Sequence, residues 1–382
     1  MVAALPVPLL PFIKQEFGLD NTHAGLVISA FSLSYGLFQL PAGFLADRIG
    51  PRTMIAISIT GIGLSGLLIG LTHSYVLMLI FLVLMGIAGG GYHPAAPPLL
   101  AASVPPANRG KAFVFHLIGG NSAFFLAPLM AAGIAAVWSW RGAFIGLSIP
   151  TIIFGIIFYL LIGGTIIKKT KSAAAAVTAE SNDTVPPKGW VRQLVLFMIL
   201  TAVVSSLSIS ASSFIPLFAQ ARFGVSAVSA AIFVAVINSS GIWASPLGGY
   251  FSDRIGNIPA VLVSSLATGP FIYLATITPY GAGFVITLLV WGALNAVRLP
   301  ASESFIISNC SPKLRSSMFG IFYASAQHGT AILTPLLGYL IDRVGYINGF
   351  NIAAAITLGL TIICGAFLWS NSHPQAHQAA GN

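Results

Sequence analysis

The stretch GFLADRIG, residues 43–50, returns as GYFSDRIG at residues 249–256, with five of eight positions identical. The shift between the copies is 206 positions, and it recurs well outside them. Phe17-Gly18 falls on Phe223-Gly224, Gly86 on Gly292, Pro94 on Pro300, Arg109 on Arg315 and Phe144 on Phe350. A constant offset held across separate segments marks an internal structural repeat. The chain is therefore read as two similar halves.

Composition names the solvent those halves meet. The 382 residues are 56% hydrophobic and 7% charged, against roughly 25% charged in a soluble domain. So few charges cannot clothe a soluble surface, and apolar segments recur from end to end, so the chain crosses a bilayer many times. The net charge of +9 comes from basic residues scattered at segment ends, without the stripe and interleaved aromatics of a nucleic-acid site. Cys310 and Cys364 lie far apart in apolar surroundings and announce neither a disulfide framework nor a metal site. No P-loop of the form GxxxxGK[ST] occurs, so an ion gradient is expected as the driving force in place of ATP. No cofactor is expected.

A helical span needs about 20 apolar residues. Spans are read near 22–46, 52–71, 75–103, 110–136, 142–165, 192–219, 226–252, 258–277, 281–309, 314–342 and 347–370, with a partial twelfth in the opening MVAALPVPLLPFI. With the loop at 47–52 in the cytoplasm, the inside segments hold Arg48, Arg52, Arg109, Lys111, Lys168, Lys169, Lys171, Lys188, Arg192, Arg254, Lys313 and Arg315. The outside segments hold Lys14, Arg141, Arg222 and Arg343. The positive-inside rule thus predicts an inner (plasma) membrane protein with both termini cytoplasmic. The expected organisation is a first six-helix bundle over 1–165, a polar linker over 166–191, a second bundle over 192–370 and a tail over 371–382. The repeat also predicts that helix one begins before Met1 and is truncated here.

GFLADRIGPR resembles the loop between helices two and three of the major facilitator superfamily of secondary transporters, with Gly43, Leu45, Asp47, Arg48, Gly50 and Arg52 on its pattern. WSWRGAF (138–144) resembles the external loop after helix five of that family. The resemblance covers nearly the whole chain. It implies an all-α fold of two six-helix bundles related by a pseudo-two-fold axis, a central substrate site and alternating access. It also implies a conformational latch in which Asp47 pairs with a basic group such as Arg109. Gly43, Arg48, Gly50 and Arg52, and the repeat's Gly249, Asp253, Arg254 and Gly256, complete that latch. The alternative for Asp47 is a helix-capping aspartate in a solvated turn.

Residues inside the spans supply the candidate site. Glu303 is the one carboxylate of eight acids that falls within a span, where charge is costly and usually functional. Arg298, five positions earlier, reads either as its partner in a structural pair or as an anchor for an anionic substrate with Glu303 as counter-ion or proton carrier. His93, His116 and His328 lie in spans, where histidines more often bond neighbouring helices than bind ligands. The 206-residue shift sets Asn121 opposite Gln327, two amides suited to a central cavity or to helix-to-helix bonding. In GGGYHPAAPP (89–98) the glycines and Pro94 loosen helix four and present Tyr92 and His93. The same shift lays Tyr92-His93-Pro94 on Arg298-Leu299-Pro300, so these two places are expected to face each other across one site. The substrate site expected is Tyr92, His93, Asn121, Arg298, Glu303, Gln327 and His328.

The expected function is secondary transport of a small organic solute by a monomer in the lipid bilayer, coupled to an ion such as the proton. His93-Pro94, Arg109-Gly110 and Gly119-Gly120-Asn121 resemble fosmidomycin-resistance-type exporters, and AFFLAPLMAAG (123–133) resembles the antiporter motif of helix five, with Ala127 where glycine is usual. Both imply export. Uptake of an organic anion held by Arg298 is the alternative, and a channel a more distant one. An enzyme is not expected, because no Ser/His/Asp set or paired acids stand out. If Asp47 is a latch, Asp47→Asn changes the transport rate while the yield and melting temperature of folded protein stay unchanged.

Overall fold

The computed structural model describes residues 1–105, 108–162, 190–310 and 315–372. Among these are fourteen α-helices, one short 3-10 turn (Val2–Ala4) and no strand. In the first half they are α1 (Pro6–Phe17), α2 (Asn21–Ile49), α3 (Pro51–Leu71), α4 (Tyr75–Gly90), α5 (Tyr92–Ser103), α6 (Arg109–Val137) and α7 (Trp140–Leu161). In the second they are α8 (Trp190–Ser213), α9 (Ile215–Phe223), α10 (Ala227–Trp243), α11 (Ser245–Ile255), α12 (Asn257–Ile277), α13 (Ala282–Asn309) and α14 (Arg315–Ser372). The linker expected over 166–191 and the tail expected over 371–382 lie mostly outside the described residues.

Eight helices are long and apolar enough to cross a bilayer, and two bent pairs add two more. One of the eight, within α14, runs 51 residues, about 75 Å at 1.5 Å per residue. It is interrupted at Gly345, where φ is 81°, and is two spans. Together with the shorter α1, these give the twelve-element order of the two repeats. Local chemistry sets the ends. Asp20, Ser74, Ser139 and Ser226 each accept a backbone N–H at a helix start, which satisfies a donor the helix itself cannot.

The repeat holds in backbone and in packing. Gly18 and Gly224 close helices at φ 60° and 66°, and Gly50 and Gly256 sit at φ 89° and 90°, conformations that favour glycine. Both ends of α12 lie 206 positions from those of α3. A Cβ at Gly63 would stand 3.2 Å from the Ser148 carbonyl, and one at Gly269 2.8 Å from the Ala354 carbonyl, again the same offset. A Cβ at Gly86 would collide with Phe31 O and Ser34 Oγ, and one at Gly292 with Ile237 O and Ser240 Oγ. Without water to drive association, helices in lipid gain from such close backbone approach. The second span bends by 56° before Pro41 and the eighth by 48° between α10 and α11.

Glycine spacing of the form G-x-G-x-x-G does occur once, as GIGLSG at 61–66. It lies in the middle of α3 with no strand before it, so it carries none of the context of a dinucleotide loop. Its Gly63 and Gly66 admit Ser148 and Ile152 of α7.

The apolar cores show how the halves meet. At the end carrying Gly18 and Gly224, one cluster joins Leu9, Val27, Met78 and Phe144 of the first half to Phe214, Phe218, Phe284 and Phe350 of the second. Towards the end carrying Gly50 and Gly256 there are two clusters, Ala42, Met54, Ile55 and Leu99 in one half and Phe197, Val261, Phe305 and Phe322 in the other. The molecule is closed at the first end and split at the second. Gly86→Ala and Gly292→Ala are each expected to destabilise by about 1–3 kcal/mol through overpacking. Gly119→Ala, which meets nothing within 4 Å, leaves the melting temperature in detergent unchanged or slightly raised.

Candidate substrate cavity and gate

Midway along the spans, where the shared core gives way to the separate ones, polar aromatic side chains of both halves converge. Helix four breaks at Gly91, where a Cβ would run into Met54, and restarts as α5 with Tyr92 and His93 at its head. Tyr35 of α2 meets the His93 ring edge-on, centroids 6.2 Å apart. Tyr92 lies 5.8 Å from His93 and stacks on His116 of α6 at 5.9 Å. Across the gap, the Tyr323 ring of α14 lies parallel to His93 at 6.5 Å, tilted by only 5°. The Tyr323 hydroxyl donates to the carboxylate of Glu303 on α13. A chain of contacts thus runs from His116 through Tyr92, His93 and Tyr323 to Glu303, crossing from one half to the other.

Asn121 and Gln327 also lie between the halves, on opposite sides. Asn121 Nδ2 donates to the Gly241 carbonyl at 2.8 Å. Gln327 and His328 pack against Gly36, where a Cβ would stand 3.0 Å from Gln327 Cβ and 3.4 Å from His328 Nε2. His328 Nε2 is buried without a hydrogen-bond partner.

Arg298 departs from expectation. It is 3% exposed, and its guanidinium bonds Thr268 of α12 and Asn295 of its own helix. It does not pair with Glu303, which is engaged by Tyr323, and it does not face His93. The repeat placed Tyr92 and Arg298 at equivalent backbone positions, but their side chains turn to different neighbours. The ion pairs among the described residues are His23–Asp20 and Arg141–Glu16.

The residues of the expected latch form no ion pair among the described residues. Gly43 lies near Pro94, and Gly249 faces open space. Asp47, Arg48 and Asp253 are exposed, and no ion pair among the described residues involves them. The Arg109 side chain lies outside those residues. Arg52 instead donates to the Tyr159 carbonyl and covers its ring at 4.3 Å, and Arg254 lies over Tyr250 at 5.0 Å.

The seal is at the other end, where little in the sequence points to one. Asp342 of α14 caps α2 from the opposite half. Its Oδ1 accepts from Asn21 N at 2.9 Å and Asn21 Nδ2 at 2.7 Å, and its Oδ2 from Thr22 N at 2.9 Å and Thr22 Oγ1 at 2.8 Å. Asn21 Oδ1 accepts in turn from Lys14 at 2.5 Å and Tyr346 at 2.7 Å. A carboxylate at a helix N-terminus gains from both the free N–H groups and the helix dipole. Below it, a Cβ at Gly25 would stand 2.7 Å from Pro335 Cα, and Ser29 Oγ donates to the Ala331 carbonyl at 2.5 Å. The WSWRGAF loop braces the same end: Trp140 and Arg141 both bond Glu16, and Arg141 also bonds the Thr72 carbonyl.

Two repeated bundles, sealed at one end and parted at the other around a polar cluster, define a secondary transporter. The sequence profile of the Major Facilitator Superfamily matches residues 1–242 and again 239–382, and the chain belongs to that superfamily. It is a multi-pass membrane protein and a transporter, not an enzyme. It is 26% identical to a probable sulfoacetate transporter of Cupriavidus necator, over 94% of this chain and 87% of that protein. It is also 26% identical to the multidrug resistance protein MdtG of Escherichia coli, over 96% of this chain and 90% of that one. The solved structure of a bacterial homologue of the human lysosomal transporter Spinster, inward-facing and occupied, shares the fold with a TM-score of 0.80 over 97% of this chain and 93% of that one, at 18% identity.

Replacing Asp342 with Ala removes all four bonds to α2 and is expected to loosen the sealed end. In an otherwise cysteine-free background, Ala24→Cys, fully buried here, then reacts faster with an impermeant maleimide. An unchanged labelling rate means that apolar packing alone holds the seal.

Proposed function

We propose that the chain is a proton-coupled exporter of a small organic solute, acting by alternating access in an inner membrane. The solute sits between Tyr35, Tyr92 and His93 of one half and Tyr323 of the other. Glu303 carries the coupling proton. The link from Glu303 through Tyr323 to His93 carries this reading. Ionised Glu303 accepts the Tyr323 hydroxyl and fixes that ring against His93. A proton on Glu303 weakens the bond, because a neutral carboxyl is a poorer acceptor than a carboxylate. A solute entering between His93 and Tyr323 displaces the same ring. A cationic solute is drawn to the same carboxylate that the proton neutralises, so proton and solute compete for the one charge of Glu303, which is the requirement of antiport.

The parted end carries the basic DRIG loops, so the positive-inside rule supports a cavity open to the cytoplasm, and export loads from that side. Aromatic faces beside one carboxylate suit a neutral or cationic amphiphile through cation–π and stacking contacts. The likeness to a multidrug resistance protein supports the same class. The likeness to a probable sulfoacetate transporter favours the second reading, uptake of an organic anion. Burial of Arg298 away from the cluster weighs against that reading.

In proteoliposomes, Glu303→Gln is expected to reduce proton-driven accumulation by at least about tenfold while solute–solute exchange continues. Normal gradient-driven transport in that variant removes Glu303 from the mechanism. Accumulation that requires protons moving in with an anionic solute establishes the second reading.

A further inference from the structure

Arg298 poses a charge-balance problem that the central cavity does not solve. Its guanidinium stays charged at any working pH, and a charge within the bilayer is costly unless an opposite charge meets it. Yet its partners are neutral: Nη1 donates to Thr268 Oγ1 at 3.2 Å and Nη2 to Asn295 Oδ1 at 2.5 Å. Asn295 is oriented by its amide nitrogen, which donates to the Trp291 carbonyl at 3.3 Å. Thr268 spends its own hydrogen on the Ser264 carbonyl at 2.8 Å. Among the described residues no carboxylate forms an ion pair with Arg298, and Glu303 is held by Tyr323.

A buried hydroxyl on α12 is without a partner. Ser265 is 0% exposed and its hydroxyl has no hydrogen-bond partner. It precedes Thr268 by three residues on α12, so the two share a helix face. A buried cation bonded to Thr268 and a buried unpaired hydroxyl one turn before it thus lie on neighbouring faces of α12.

We propose that a small monovalent anion of about the size of chloride binds there, held by the remaining N–H groups of Arg298 and by the Ser265 hydroxyl. Trp291 and Ile272 of the same two helices are fully buried, so the region is shut off from solvent, which favours a single-atom anion over an organic acid. The site lies inside the second half, apart from the aromatic cluster, so it serves neither as the solute site nor as the proton site. The anion neutralises Arg298 and fastens α13, which carries Glu303, to α12.

The test uses the full chain purified in detergent and freed of halide. Sodium chloride is titrated against sodium gluconate at constant ionic strength while thermal unfolding is followed. The expected result is a saturable rise in melting temperature with chloride and with bromide but not with gluconate. Arg298→Gln abolishes the rise, and Ser265→Ala moves its midpoint to about tenfold higher chloride. Equal melting temperatures in chloride and gluconate overturn the proposal, as does a chloride response undiminished in both variants. Either result means that neutral acceptors alone solvate Arg298, such as the Ala296 carbonyl freed by Pro300. If Arg298→Gln does not fold, equilibrium dialysis of the unaltered protein decides, with about one bound bromide per chain expected and none contradicting the site.

Discussion

Apolar side chains of the two halves interlock at one end of the molecule, and there alone form a single core. Phe144, Phe218, Phe284 and Phe350 belong to that cluster. At the other end each half keeps a core of its own. The polar cluster depends on this arrangement, because the halves diverge just where His93 and Tyr323 meet. The Asp342 cap depends on it too. Four hydrogen bonds to Asn21 and Thr22 add direction to a contact whose bulk comes from packing. In lipid, that packing is close backbone approach at small residues, here Gly25 against Pro335 and Gly338 against Asn21.

The same economy runs within each half. Gly86 with Gly292, and Gly63 with Gly269, occupy equivalent contacts at one offset. Rigid halves and a looser junction between them are what a rocking transporter needs, since a packed interior resists continuous deformation and favours discrete states. Gly50 and Gly256 begin helices at matching angles on the split side, which leaves the DRIG loops geometrically alike in both halves.

Much of the fold was legible. Composition gave the solvent, the offset of GFLADRIG and GYFSDRIG gave the repeat, and the repeat gave the helix order. The site was legible only in part. Tyr92, His93 and Glu303 drew attention as unusual residues in apolar spans, and the structure links them. The link itself, Tyr323, did not stand out, because one tyrosine among several in apolar helices carries no periodic or charge signal. Tyr35 was missed for the same reason. Asp342 and Asn21 are 321 positions apart, so neither advertises the other. Charge within a span marks Arg298 in the sequence, but its neighbours in the structure are Thr268 and Asn295 in place of His93 and Glu303. A backbone repeat fixes where a Cα lies, whereas the rotamer follows the local side chains, here Thr268 and Asn295.

The sequence by itself determined that this chain lives in a bilayer, that it is built twice from one plan, and which residues are costly to bury. These follow from hydropathy, repetition and charge, all of which are local or periodic. Only the tertiary structure decided which end is sealed, that His93 meets Tyr323 across the halves, and that Arg298 turns away from them into the second half. Those facts depend on how two similar bundles pack against each other, and the packing is set by contacts between residues hundreds of positions apart.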